Sequence, residues 1–231
     1  MTAAIAKRLE EVRRRIQRAA EACRRSDSDI RLVAVSKTCP AEAIREAAAA
    51  GATDIGENYI QEAREKHELL RDVAVRWHFI GHLQTNKAKY AVRMFDLVHT
   101  LDSFRLALEL DRCARRLNKV QAVLIQVNVA GEATKSGLPP ERAVPLVKEV
   151  AALECVQVQG LMTMPPYFNE PERARPFFAE LRRLRDRIRE EALPNVRMDE
   201  LSMGMTGDFE AAVAEGATLL RIGTAIFGER P

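Results

Sequence analysis

A (β/α)8 barrel is the fold this sequence predicts, and three observations predict it. Short β-branched runs alternate with amphipathic helical stretches, the order that gives a parallel sheet with crossover helices. Eight such units are present, enough to close a barrel. No G-x-G-x-x-G follows the first strand, which disfavours an open doubly wound sheet. With 231 residues, 47% of them hydrophobic, the chain buries a substantial core without disulfides or metal. No linker, low-complexity tract or composition break divides it, so one domain over residues 1–231 is expected.

The elements read in order. Ile5, Leu9, Val12, Ile16, Ala20 and Cys23 recur at spacings of three and four and predict an amphipathic helix over about 2–25, lying outside the barrel. Its other face carries Lys7, Arg8, Arg13, Arg14, Arg15, Arg18, Arg24 and Arg25. That face reads either as a surface for an acidic partner or as a solvated one with glutamates interspersed. Strand one is 30–36, followed by a helix over 40–50 with proline in its first turn and Gly51 behind it. Further strands are expected at 53–56, 76–80, 97–100, 120–129 and 156–162. A short one ends at Leu201-Ser202, and the eighth covers 219–222. Helices are expected at about 59–70, 86–93, 103–117, 140–153, 172–191 and 208–214, with a last short one opened by Gly223-Thr224. Asp102 and Ser103 supply a cap for one of them.

Composition excludes several classes. Thirty-six basic and 33 acidic side chains leave a net charge of +3, too balanced to argue nucleic-acid binding. Cys23, Cys39, Cys113 and Cys155 lack the paired spacing of zinc or redox motifs and read as reduced thiols. No apolar run reaches the length of a membrane span. The N-terminus has no apolar signal core, and Glu10, Glu11 and Glu21 argue against a transit peptide. A cytoplasmic protein is expected.

Active sites of barrels lie at the carboxyl ends of the strands, which selects residues for inspection. Strand one offers Lys37. Period-two alternation gives it the face of Val33 and Val35, the lining face. A strand-end lysine either rests its stem on apolar surface with the ammonium in water or sits in a pocket as a Schiff-base amine. The other strand ends offer Glu57 and Asn58, His82 and Gln84, His99, Asn128, and Met162 with Met164. Strands seven and eight offer Ser202-Met203-Gly204 and Arg221, Gly223 and Thr224, where barrels frequently bind phosphate. Closure makes strand eight a neighbour of strand one, which brings that cradle beside Lys37. An amine next to a phosphate site suits pyridoxal phosphate. Arg221 either pairs with a carboxylate or faces the pyridine nitrogen, to which it donates without giving up its proton.

The motifs LVAVSKT, GENYIQEA, WHFIGHLQTNK, HTLDS, VNVAGEATKSGLPPE, GLMTM and LSMGMTGDFEAAVAEGATLLRIGTAIFGER stand in order from residue 30 to the C-terminus. In them the chain resembles the YggS/PROSC family of pyridoxal phosphate homeostasis proteins. The resemblance implies a fold-type III barrel like that of alanine racemase, with Lys37 as the Schiff-base (aldimine) lysine and Arg221 against the pyridine nitrogen. It further implies Ser202, Gly223 and Thr224 around the phosphate, with Asn58 and Met203 lining the pocket. His82 and His99 are expected at the pocket rim or as satisfied structural histidines. Lys135 reads as a solvated loop lysine or as a second amine that receives the aldehyde. No metal is expected.

Two functions remain open. One is a binding protein that holds pyridoxal 5′-phosphate and delivers it to apo-enzymes dependent on it. The other is an amino-acid racemase or another slow enzyme of the alanine racemase type. Racemases of this fold carry a further β domain after the barrel that supplies an opposing base. The chain reaches Pro231 nine residues after Ile222, so no such domain is expected. Tyr59, Tyr90 and Tyr167 have no evident claim to the base's place. A non-catalytic monomeric carrier, with neither nucleic acid nor membrane as partner, is the expectation.

Overall fold

Closure is made where β1 (Arg31–Val35) meets β8 (Leu219–Ile222), with Arg31 opposite Leu219 and Ala34 opposite Ile222. Between them run β2 (Asp54–Glu57), β3 (Arg76–Phe79), β4 (Leu97–Leu101), β5 (Gln121–Gln126), β6 (Val156–Met162) and β7 (Val196–Ser202). All eight are parallel and neighbour one another in chain order, a closed (β/α)8 barrel. The computed structural model describes residues 2–132 and 135–229. The β7–β8 ladder is the shortest: its single register pair is Ser202 opposite Leu219. Past the end of β7 it continues through Arg221 N–H to the Gly204 carbonyl at 3.0 Å.

The outer ring is α2 (Ala41–Ala49), α3 (Ile60–Leu69), α4 (Ala88–Met94), α5 (Phe104–Arg115), α6 (Ala143–Ala151), α7 (Arg175–Glu190), α8 (Phe209–Ala214) and α9 (Thr224–Phe227). Strand and helix faces meet in a continuous apolar layer that includes Ile55, Phe79, Phe95, Leu110, Phe178 and Phe209, all fully buried. Each such side chain stabilises the fold by about 1.5–3 kcal/mol relative to its exposed state. A second, smaller cluster of Val33, Leu97, Leu124, Met162 and Leu219 fills part of the barrel interior.

α1 (Thr2–Ala22) lies across the outside, beside α2, α8 and α9. Ile5, Leu9, Val12, Ile16 and Ala20 are buried beneath it, whereas Cys23 is half-exposed. The helix stops three residues before the expected end because Arg24 turns to φ +56°, and Arg25 N–H bonds back to the Ala20 carbonyl at 2.9 Å. Part of its basic face docks it: Arg8 Nε donates to the Ile226 carbonyl at 2.7 Å, and Arg13 Nη2 to the Gly51 carbonyl at 2.5 Å. Arg15 pairs with Glu210 at 2.6 Å while its guanidinium covers the Phe209 ring. These cations tie α1 to the barrel.

Two strands differ from expectation. β7 begins at Val196, well before the pair at its end; Arg197, Asp199 and Glu200 mask its alternation, and Met198 interrupts it at φ +56°. β5 ends at Gln126: Val127 N–H still reaches the Met162 carbonyl of β6 at 2.8 Å, but its bridge is to Leu138 in the following loop. Single 3-10 turns (Thr85–Lys87, Pro140–Arg142 and Pro171–Ala174) precede α4, α6 and α7, which delays their α-helical starts. Among the described residues no helix is long and apolar enough to cross a membrane.

Candidate functional site

A cavity of about 430 Å³ opens at the carboxyl ends of the strands, within the size range of small-molecule sites. Val35 and Lys37 both line it, as the alternation along β1 requires. Asn58 after β2, and Arg221, Gly223 and Thr224 at β8, line it too. Gly81, after β3, allows the wall to form there: a Cβ on it would stand 2.1 Å from the Asn58 carbonyl oxygen.

Lys37 sits half-buried at a strand end whose backbone is held from outside the barrel. Ser36 Oγ donates to Glu57 Oε1 at 2.5 Å. The buried Lys66 ammonium reaches both that oxygen and the Ser36 carbonyl, each at 2.7 Å. Burial pushes the Glu57 carboxyl up, against the opposing pull of Lys66 and Ser36. The next residue, Thr38, has φ +64°, a costly conformation for a β-branched side chain. Its N–H is pinned to Glu62 Oε1 at 2.5 Å.

Arg221 is 3% exposed. Nη1 donates to Ser202 Oγ at 2.5 Å and Nη2 to the Thr163 carbonyl at 2.8 Å. Among the described residues no carboxylate pairs with it. Burial lowers its pKa to about 10, against the opposing charge of Asp208. A guanidinium remains protonated there at neutral pH. It has five N–H donors and no acceptor, so donors remain for whatever occupies the cavity.

Two expected site residues do not line this cavity. Ser202 is wholly buried below it, and its hydroxyl is shared between Arg221 and His99 Nδ1, the latter at 2.8 Å. Met203 points the other way, into the apolar layer between strands and helices. The alternation that turns Ser202 inward turns Met203 outward.

The loop after β7 supplies what those residues do not. Met205, Thr206, Gly207 and Asp208 line the cavity. Thr224 Oγ1 donates to Thr206 Oγ1 at 3.2 Å, so the loops after β7 and β8 meet. Asp208 Oδ1 accepts from Met205 N–H at 2.6 Å and braces the turn. Burial pushes its carboxyl up, against that N–H and the charge of Arg221. Gly204 begins the turn at φ +91°, where a Cβ would meet Ala212 Cβ at 2.7 Å.

Of the other candidates, His82 and Met164 line the cavity. His99 lies inside the barrel, wholly buried and hydrogen-bonded at both nitrogens. Lys135 lies away from the cavity, its ammonium 3.3 Å from Glu132 Oε1. Gln126, absent from the sequence reading, lines the cavity while 2% exposed. Its Nε2 donates to the Ser136 carbonyl at 3.1 Å. Its Oε1 is buried without a hydrogen-bond partner among the described residues. The signal for it was present: Ala122, Leu124 and Gln126 share the inward parity of β5.

Comparison with known proteins shows the family and the fold. A family model described as alanine racemase, N-terminal domain, matches residues 8–231. The pyridoxal phosphate homeostasis protein of Aquifex aeolicus (strain VF5) is 49% identical over 223 residues, covering 96% of this chain and 97% of the relative. This chain belongs to the pyridoxal phosphate homeostasis protein family. The family member of Pseudomonas aeruginosa is 43% identical over 226 residues, covering 98% and 96% of the two chains. PipY of Synechococcus elongatus PCC7942, a structure with PLP bound, matches at TM-score 0.86 and 38% identity over 97% of this chain and all of that one. An alanine racemase of Clostridium difficile 630 matches at TM-score 0.72 with 15% identity, covering 97% of this chain and 56% of that one. That last likeness is one of fold.

Proposed function

We propose that this chain holds pyridoxal 5′-phosphate in the strand-end cavity, attached through Lys37, and serves intracellular supply of that cofactor as a carrier. The single observation that carries the reading is one cavity lined by an amine just after β1 and a buried, donor-only guanidinium on β8. Pyridoxal phosphate supplies an aldehyde that condenses reversibly with amines, an electron-poor ring and a dianionic phosphate. The residues present fit those three parts. Lys37 offers the amine. Arg221 offers N–H donors to a ring nitrogen and keeps its own proton. The loops joined by Thr206 and Thr224, with Gly207 and Gly223, offer hydroxyl and backbone donors to the phosphate. Asn58 and the unpartnered Gln126 Oε1 complete the polar wall. Ser202 acts on the cofactor through Arg221, and Met203 has no part in the pocket. Family membership and the PLP-bound PipY structure support the assignment.

A carrier leaves the bound aldehyde exchangeable and needs no positioned acid or base. A racemase needs a base within hydrogen-bond reach of the proton it removes. One observation favours that second reading, since Tyr167 lines the cavity. Its ring is 83% exposed, so nothing fixes the phenol over a substrate. We further infer a monomer acting in the cytoplasm, with apo forms of pyridoxal phosphate enzymes as recipients.

The test is spectroscopic. Wild-type protein with pyridoxal 5′-phosphate should show a visible band, and borohydride should fix one cofactor mass to the peptide containing Lys37. Lys37→Ala should lose both. An unchanged band in that variant sinks the site, and rapid interconversion of alanine enantiomers sinks the carrier reading.

A further inference from the structure

The barrel interior is apolar on one side only. On the other, buried polar side chains cross it from β2, β3 and β4 to β7 and β8. Arg221 Nη1 bonds to Ser202 Oγ at 2.5 Å, and Ser202 Oγ to His99 Nδ1 at 2.8 Å. His99 Nε2 lies 2.9 Å from His78 Nδ1, and His78 Nε2 lies 2.8 Å from Asp54 Oδ1. All five side chains are buried, none more than 3% exposed. Arg76 Nη2, at 2.8 Å, and Thr53 Oγ1, at 2.7 Å, donate to the remaining oxygen of Asp54 at the barrel floor.

We propose that Asp54, His78 and His99 are positioning residues for Arg221: with Ser202 they form a one-way string of hydrogen bonds that sets which N–H donors the guanidinium presents to the cavity. The two ends fix the direction. Arginine has no acceptor, so Ser202 Oγ accepts from it and sends its own proton to His99 Nδ1. His99 then carries its proton on Nε2 and donates to His78 Nδ1. His78 likewise carries its proton on Nε2 and donates to Asp54, an ionised carboxylate that only accepts. The opposite Nδ1–H tautomers would leave the Ser202 proton without an acceptor. They would also present a lone pair of His78 to the carboxylate.

The electrostatics agree with that direction. Every donor hydrogen points toward Asp54 and every acceptor lone pair toward Arg221. The string therefore stabilises an anion at one end and a cation at the other. That answers how a buried guanidinium persists when, among the described residues, no carboxylate pairs with it. The Ser202 and Thr163 bonds hold Nη1 and Nη2, which fixes the guanidinium plane and leaves the other N–H groups for the cavity. The string depends on the proposed function only in what Arg221 serves.

The chain has four histidines, His67, His78, His82 and His99, so 15N-histidine NMR resolves the tautomers in protein without added ligand. At pH 7, His78 and His99 should both be neutral with the proton on Nε2. A proton on Nδ1 of either, or a charged ring, overturns the string. A second arm uses two variants and pyridoxal 5′-phosphate as the probe. In His99→Asn the amide oxygen replaces the Nδ1 acceptor beside Ser202, whereas in His99→Gln the amide nitrogen replaces only the Nε2–H donor. The first keeps the Ser202 acceptor but cuts the string at His78, so it should lose affinity and shift the band less than the second. The second should lose affinity by about tenfold and shift the band. Equal behaviour of the two variants overturns the positioning role. If wild-type protein takes up no pyridoxal phosphate, the proposed function fails while the tautomers still decide the string.

Discussion

His99 and Asp54 are two groups whose charge states the fold dictates, in opposite senses. Burial first, then the neighbouring His78, Arg221 and Arg31, hold the His99 imidazole well below its usual value, so it stays neutral. Burial alone would raise the Asp54 carboxyl. Hydrogen bonds from His78, Arg76 and Thr53 overcome it and hold the group well below the usual carboxylate range. In both cases the unfolded chain binds its proton at higher pH than the folded chain does. Stability is therefore full above the unfolded values, and falls with pH below about 6.5 for His99 and below about 4 for Asp54. Each group can contribute a slope of up to about 1.4 kcal/mol per pH unit. Urea unfolding at pH 7, 6 and 5 should show the His99 share, and His99→Asn should flatten it. A wild-type stability that stays level from pH 7 to 5 contradicts the neutral, buried assignment. Lys37 and Arg221 were legible because strand parity and closure suffice to place them. The partners of Ser202 were not. They come from β4 and β8, 103 and 19 residues away, and no local pattern encodes which lumen residues touch.

At the scale of elements, α1 shows how far periodicity reaches. Its apolar stripe named the buried residues, but not that arginines on the other face grip the carbonyls of Gly51 and of Ile226 in α9. Those contacts are non-local, and a basic face reads the same whether solvated or docked. Leu9 is fully buried at the centre of the stripe, so Leu9→Ala should cost about 2–5 kcal/mol. Chemical denaturation measures that loss directly; a cost under about 1 kcal/mol would mean that α1 is peripheral to stability. The loop after β7 marks the opposite limit. Met205–Asp208 reads as an ordinary turn before a helix. Its place in the cavity wall depends on Thr224 crossing to Thr206 and on Gly204 packing against Ala212.

For the whole molecule, chain order made the barrel readable: eight alternating units leave a closed parallel sheet as the arrangement that pairs every strand edge. What closes least regularly is the β7–β8 seam, with one register pair and a continuation through Arg221 N–H and Gly204. The residues proposed to bind phosphate stand on both sides of that seam. Ligand should therefore slow amide exchange at Met203 and Arg221 more than at β5–β6, where six residue pairs span the ladder. Equal protection of both seams on adding pyridoxal 5′-phosphate would contradict the two-sided grip. Linkage makes this coupling reciprocal. Whatever tightens when cargo is taken up must, when loosened, lower the affinity for the cargo. If the chain delivers its cargo as proposed, a recipient that pries at the outer edge of β7 and β8 has a lever on release without ever touching Lys37.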